Sequence, residues 1–299
     1  MQKVLVAGAT GYLGRFVTKE FKRRGYWVRA LARNPKKLEQ TGPFLQPAVV
    51  NEIDDLFIGE VTRPETLKGL CDDIDIAFSS VGITRQKDKL TYRDVDYQGN
   101  RNILDIALKN SVSRFVYVSV LNAHLYEHLA IVKAHEDFVR DLKACGMDYV
   151  VMRPTGYFSD MSEFLSMARK GRIYLVGSGE NRINPIHGAD LAKVCADAIT
   201  WQEQEIPVGG PETYSMNEIA ELAFSTLGKR AKITRIPPLL AKLTATMIRP
   251  FNKQMSDLAE FFIAAGRNEG VAPATGKHTL RSYYHELAAQ WLNENQASA

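Results

Sequence analysis

Three glycines at a spacing of three, Gly8, Gly11 and Gly14, have the residue type and pattern to grip a diphosphate. Glycine tolerates positive φ and lets a second backbone or a pyrophosphate approach closely. The amphipathic run Arg15–Phe21 behind them reads as a helix, whose first amides and positive dipole end favour phosphate. The usual dinucleotide fingerprint is G-x-G-x-x-G. Here Ala9 takes its first glycine position, giving G-x-x-G-x-x-G. The position after the apolar strand Val4–Ala7 makes the pattern specific; a ligand-free βα turn would not need three glycines.

A second candidate lies at the end of the next apolar run, Trp27–Ala32, where Arg33 is followed by Lys36 and Lys37. NAD-binding units place an acidic residue about 20 residues beyond the glycine turn to hold the ribose hydroxyls. This chain has none there. A guanidinium matches phosphate geometry at two points, so the expected cofactor is NADP, with NAD admissible. The alternative is that Arg33 only solvates a strand end. Ser80, Val81 and Gly82 close a fourth apolar run with small residues, which let a cofactor pass over a strand's carboxyl end or simply make a turn.

Candidates for proton chemistry are fewer. Ser119 ends the run Arg114–Val120 and can hydrogen-bond a substrate carbonyl or cap the next segment. Lys133 has two readings: an acid–base lysine beside a nicotinamide ribose, or a ribose-binding or surface lysine paired with Asp137 four residues on. His124, His128 and His135 form a cluster by sequence, with only His128 and His135 near one helical face and no third ligand spaced for a metal. Each reads as a solvated or locally bonded histidine. His187 precedes a helix start; a hydrogen bond tying a lobe to the core is the favoured reading over a substrate contact.

These residues need a framework. Apolar runs at Val4–Ala7, Trp27–Ala32, Asp55–Glu60, Asp75–Gly82, Arg114–Val120 and Asp148–Pro154 alternate with helical patterns. The rhythm predicts an α/β fold: a Rossmann-type doubly wound parallel sheet with helices on both faces. Helices are expected at Pro64–Leu67, capped by Thr62, at Thr91–Asn110 and at Tyr126–Cys145. Tyr97-Gln98-Gly99-Asn100 is a local conflict inside the second of these, expected at packed or functional places. Beyond Pro154 the rhythm loosens. Helices are expected over 161–170, 188–201, 216–227, 237–250, 255–265 and 280–291, the last before a frayed polar tail. Short strands are expected near 205–208 and 233–236, and 174–184 is expected to be a loop. The predicted domains are a nucleotide-binding unit, residues 1–155, and a mixed region, 156–299, that adds the last core elements and a small, mostly helical C-terminal lobe. The apolar segment 237–251 is expected to pack on its own protein, with a substrate, partner or membrane surface as the alternatives.

Composition excludes other classes. Of 299 residues 45% are apolar and 24% charged, with a net charge of +4 and the basic residues dispersed. That is an ordinary globular balance and gives no footprint for nucleic acid. Three scattered cysteines suit a reducing compartment. No secretory leader and no membrane-length apolar run is read, so a cytoplasmic location is expected.

Gly8-Ala9-Thr10-Gly11-Tyr12-Leu13-Gly14, Arg33, Ser119, Lys133, Arg153-Pro154-Thr155-Gly156 and the segment Ile183–Ala192 together resemble the atypical short-chain dehydrogenase/reductase superfamily. The similarity covers about two-thirds of the chain. It is nearest the NAD(P)H-binding branch of NmrA-like regulators, isoflavone-reductase-like enzymes, divinyl-chlorophyllide reductases and the accessory subunit of respiratory complex I. The resemblance implies that Gly8, Thr10, Gly11, Tyr12, Leu13 and Gly14 cradle a pyrophosphate, and that Arg33 and Lys37 hold the adenosine phosphate. It places Gly59 and Glu60 by the adenine, Ser80, Val81 and Gly82 along the middle, Ser119 and Lys133 at the nicotinamide ribose, and Pro154, Thr155 and Gly156 by the carboxamide. It implies an NADP-dependent reductase of an apolar or quinone-like carbonyl or alkene, or else a non-catalytic redox sensor or accessory subunit with a protein partner on the C-terminal lobe. The superfamily's proton-donating Tyr falls at position 129, which is Leu here. Tyr126, two helical turns from Lys133, is the nearest substitute.

Overall fold

The computed structural model describes residues 1–83 and 90–297. In chain order its principal elements begin with β1 (Lys3–Ala7), α1 (Tyr12–Arg23), β2 (Trp27–Ala32), β3 (Asp55–Ile58), β4 (Ile76–Ser79), α2 (Asn100–Lys109), β5 (Arg114–Val118), α3 (Ala130–Ala144) and β6 (Asp148–Pro154). They continue with α4 (Phe158–Arg169), β7 (Ile173–Val176), β8 (Arg182–Ile183), α5 (Gly188–Asp197), β9 (Glu205–Val208), β10 (Tyr214–Ser215), α6 (Met216–Thr226), β11 (Ile233–Ile236), α7 (Pro238–Ile248), α8 (Lys253–Ala265) and α9 (Leu280–Ala297). The chain forms two compact units: Met1–Arg153 with Leu191–Pro207, and Pro154–Asp190 with Val208–Ala299.

The first unit is built on a seven-stranded sheet of order β3-β2-β1-β4-β5-β6-β9. The five pairs from β3 to β6 are parallel. Order reverses between β1 and β4, so right-handed crossovers put the connections before and after that point on opposite faces. This is the doubly wound architecture expected from the alternating runs. Strands buried on both faces must be apolar throughout, as Val4, Leu5, Val6 and Ala7 are, each with no exposed surface. Phe115, Tyr117 and Phe138 pack behind the sheet with Leu104, Leu142 and Val151.

Several local expectations are corrected. Thr62 does not cap the turn Pro64–Leu67; Arg63 holds the cap position, and the Thr62 hydroxyl donates to Glu60. The helix expected over Thr91–Asn110 opens as a widened π-type segment, Arg93–Gly99, before α2. α3 begins at Ala130, so His128 and Tyr126 precede it.

The second unit holds two small sheets, β10-β8 and β11-β7. The loop expected over 174–184 is therefore wrong at both ends. Tyr174 pairs with Thr234 and Ile183 with Tyr214; the stretch between the strands, 177–181, keeps the expected loop around Gly177-Ser178-Gly179. α9 runs past Trp291, where fraying was expected, and residues 298–299 lie outside the described residues. The apolar segment 237–251 packs on its own protein only along one narrow side. Only Ala245 of α7 is buried, whereas Leu239, Leu240, Leu243, Met247 and Phe251 are exposed.

His187 is tied into this unit. Its ring stacks on His278 at 4.3 Å between centroids and meets Phe158 edge-on at 5.5 Å. Its Nδ1 accepts from the Ala189 amide at 3.2 Å. His278 in turn sits with Nδ1 2.8 Å from Asp190, whose side chain has no exposure. Burial works against ionisation of Asp190. The amide of His278, its ring and the amide of Lys277 more than offset this and hold the carboxyl below its usual range.

Two outcomes follow. A Cβ at position 14 would lie 2.0 Å from the Gly8 carbonyl oxygen, so Gly14→Ala lowers stability by about 3 kcal/mol, read as a melting temperature several degrees lower; an unchanged melt contradicts this packing. The stability from Asp190 is fully present above the unfolded carboxyl pKa of about 3.9, and it is lost as pH falls through the lower folded value. Asp190→Asn therefore destabilises at neutral pH by a margin that shrinks as the medium is acidified towards pH ~3. A margin independent of pH overturns the assignment.

Candidate functional site

The glycine turn joins β1 to α1. Gly8 has φ +87°, a conformation that disfavours side chains, and the Gly11 amide returns to the Gly8 carbonyl at 2.9 Å. A Cβ on Gly8 would meet Ser80 Oγ at 2.9 Å, and one on Gly14 would overlap the Gly8 carbonyl. Gly8 thus lies against the end of β4, at the point where strand order reverses. Open α/β sheets bind ligands there. Gly11 occupies the helix cap position with extended backbone, and among the described residues no side chain caps α1. Thr10 and Tyr12 are half-buried, Gly11 is exposed and Leu13 is buried beneath. A cradle without Cβ atoms facing an uncapped helix start fits a diphosphate.

Sequence reasoning missed the residue that fixes this turn to its surroundings. Arg15 is 5% exposed. Its guanidinium donates to the carbonyls of Thr10 at 3.4 Å, Pro47 at 3.2 Å, Gln40 and Lys37. Its position directly after the third glycine was the available signal. Lys37, a candidate itself, is exposed and contributes its backbone to this anchor. Arg33 is half exposed at the end of β2, 3.4 Å from Glu60, which also neighbours Arg63 at 3.6 Å. Such exposed pairs are worth little, so a phosphate can replace the carboxylate. Gly59 is buried, its amide on the Ala32 carbonyl at 3.3 Å.

At the end of β4 the Ser80 amide donates to the Ala7 carbonyl at 3.1 Å, Val81 is buried and Gly82 is exposed. Behind them runs a polar chain unforeseen from sequence. Ser79 Oγ donates to Asn100 Oδ1 at 2.5 Å, and Asn100 Nδ2 donates to the Val81 and Asp96 carbonyls at 3.0 and 2.7 Å. Asp96 has no exposure and accepts the Ile83 amide; His135 Nε2 is 3.2 Å from it. With the Nε2 proton assigned toward that carboxylate, His135 Nδ1 accepts from the Tyr117 hydroxyl at 2.5 Å. Burial raises the Asp96 pKa, and the bond from His135 only partly counters it. A Cβ on Gly82 would stand 2.9 Å from Asp96 Oδ1. The signal was the Gly99-Asn100 conflict: a Cβ on Gly99 would meet Val61, and Asn100 is fully buried.

The three proton-chemistry candidates have separate settings. Ser119 is buried and donates to Glu136 at 2.6 Å. Arg153 grips Glu136 at 2.9 and 3.0 Å, and donates to the Val120 carbonyl and to Glu205. Ser119 is thus bonded within a buried ion-pair network. Lys133 lies in the first turns of α3 with its side chain 59% exposed, paired with Asp137 at 3.1 Å. That is the pairing its spacing suggested. Tyr126 is buried and ends the short turn Ala123–Leu125. It is off the helix, so the two-turn alignment with Lys133 does not exist. Leu129, also buried, holds the cap position of α3. In the second unit the Thr155 hydroxyl donates to the Asn184 carbonyl at 2.6 Å. Gly156 accepts the Ile186 amide at 2.9 Å, and Pro154 ends β6. Among the described residues no group of three His, Cys, Asp or Glu side chains is placed to hold a metal ion, and no helix is long and apolar enough to cross a membrane.

Comparison with known proteins places this geometry. The photosystem II assembly factor Ycf39 of Guillardia theta is 28% identical over 242 residues, covering 78% of this chain and 73% of that protein. The chloroplastic divinyl chlorophyllide a 8-vinyl-reductase of Arabidopsis thaliana is 28% identical over 328 aligned residues, covering 97% and 77%. The NADPH-dependent quinone oxidoreductase QOR2 of Escherichia coli, solved with NADPH, superposes with a TM-score of 0.73 at 17% identity, covering 96% of this chain and all of that one. That last likeness bears on fold alone. The NAD(P)H-binding family model matches residues 8–202, so the turn, the sheet and the switch point described above are those of a chain that belongs to the NAD(P)H-binding family.

Proposed function

We propose that this protein is an NADP-dependent reductase acting on an apolar, quinone-like carbonyl or activated alkene. The observation that carries the reading is the glycine cradle between β1 and α1, with Arg33 at the end of β2. The amides of Thr10 to Leu13 hold the diphosphate, and Arg33 with Lys37 holds the 2′-phosphate in place of Glu60. The bound dinucleotide supplies hydride to the substrate. Ser119, on its Glu136–Arg153 support, and Lys133 stand at the nicotinamide ribose, as the resemblance implies.

Leu129 and the displaced Tyr126 narrow the substrate class. A simple ketone becomes an alkoxide on taking up hydride and needs an acid beside it. A quinone or enone becomes a delocalised anion that water can protonate. The second class therefore suits a site whose usual tyrosine is a buried leucine. The same leucine, with Lys133 paired to Asp137, also favours a second reading: nicotinamide-nucleotide binding without turnover, in a sensor or an assembly subunit. The likeness to an assembly factor supports it. Cytoplasmic location remains part of the proposal.

Fluorescence titration and a turnover screen test both readings. NADPH binds more tightly than NADH, and Arg33→Ala weakens NADPH alone by about tenfold or more; tighter NADH binding by the unaltered protein overturns the NADP assignment. With NADPH bound, benzoquinones, naphthoquinones and enones drive its oxidation, and Lys133→Ala slows it. Undiminished turnover in that variant removes Lys133 from the mechanism, and binding without oxidation by any acceptor selects the second reading.

A further inference from the structure

The helical pair α7–α8 presents an apolar face. Leu239, Leu243 and Met247 are spaced i, i+4, i+8 on one side of α7, with Leu240 beside them, and Met247 is 73% exposed. Phe251, in the turn between the helices, is 91% exposed. Met255 and Phe262 continue the apolar surface along α8 at i, i+7. The opposite side of α7, around Ala245, faces the protein. Two threonines on α7 have already satisfied their hydroxyls: Thr244 donates to the Leu240 carbonyl at 2.9 Å and Thr246 to the Lys242 carbonyl at 3.0 Å. Removing this face from water therefore leaves those polar groups bonded.

Charge identifies what covers it. α7 and the Phe251 turn carry two basic residues, Lys242 and Arg249, and no acidic one, while Lys253 at the start of α8 is paired with Asp257 at 2.5 Å. Lys242 and Arg249 are exposed and, by helical spacing, lie on the same side of the apolar face of α7. Long basic side chains at the rim of an apolar helical face suit the anionic headgroup layer, where their stems lie along acyl chains. A second copy of the same patch would bring like charges together. At eleven residues α7 is far short of the roughly 20 needed to span a bilayer, so it lies along the surface. We propose that α7, the Phe251 turn and the first turns of α8 form a docking surface for an anionic lipid bilayer. It would bring the protein to the phase in which apolar molecules dissolve. The inference does not depend on the proposed reductase activity.

Flotation of the full-length protein with vesicles tests this directly. The protein floats with vesicles of equal parts phosphatidylcholine and phosphatidylglycerol and binds them about tenfold or more tightly than pure phosphatidylcholine, with the preference falling as salt rises. The double variant Met247→Glu/Phe251→Glu loses binding to both vesicle types, and Lys242→Glu/Arg249→Glu loses the anionic preference. All four side chains are exposed, and an unchanged melting temperature certifies each fold. Failure of the unaltered protein to float, or equal flotation by the variants, overturns the proposal. So does a dimer seen by light scattering that Met247→Glu/Phe251→Glu abolishes while vesicles go unbound.

Discussion

The approach of α1 to the carbonyl of Gly8 is the constraint on which the candidate nucleotide site rests. A side chain at position 14 has no room, because its Cβ would overlap that oxygen. With glycine there, the helix starts directly behind the last residues of β1, and its amide end is set beside the carboxyl end of the sheet. Gly8 can then adopt positive φ against Ser80, which joins the turn to β4 at the reversal of strand order. Arg15 extends the arrangement outward, since its buried guanidinium binds carbonyls from the turn and from the segment behind β2. Burial disfavours a lone cation, so this arginine stays only if those carbonyls stay. A small steric fact in β1 and α1 thereby positions the residues that follow Arg33.

Two buried polar systems lie behind the candidate chemistry. Ser79, Asn100, Asp96, His135 and Tyr117 are linked below the ends of β4 and β5. Glu136 and Arg153 tie α3 to β6 and take the Ser119 hydroxyl. Networks of this kind cost desolvation and persist only when their members are satisfied. Their effect here is to immobilise the strand ends and the start of α3. They also engage Ser119, while Lys133 turns to Asp137. In the proposed reading, such a site would supply position and electrostatics more readily than a strong proton donor, which suits substrates whose reduced anions water can protonate.

How much of this was legible follows from range. The glycine turn, the first six strands and their parallel direction are local or periodic signals, and they read through: β6 and β11 fall where their apolar runs predicted, whereas β7 lies in an expected loop. The start of α3 did not, because Tyr126 and His128 are compatible with a helix; nothing local reveals that Leu129 caps it. β8 and β10 have two residues each, too short for any period, and exist only as partners. The Asp96–His135–Tyr117 chain joins residues 18 to 39 positions apart through folding alone; sequence offered only the awkward Gly99-Asn100 step. The exposure of α7 was misread because an apolar run looks the same whether it faces a core or a surface. What distinguishes them is the narrowness of its buried side, seen only in three dimensions.

The central claim is that the amides between Thr10 and Gly14 receive a diphosphate, and amide-resolved NMR during titration with NADPH tests it most directly. The account predicts that the largest shifts fall on the amides of Thr10, Gly11, Tyr12 and Leu13, with Arg33 following. If every nicotinamide nucleotide leaves those resonances in place, or moves only resonances elsewhere in a folded protein, the account is wrong.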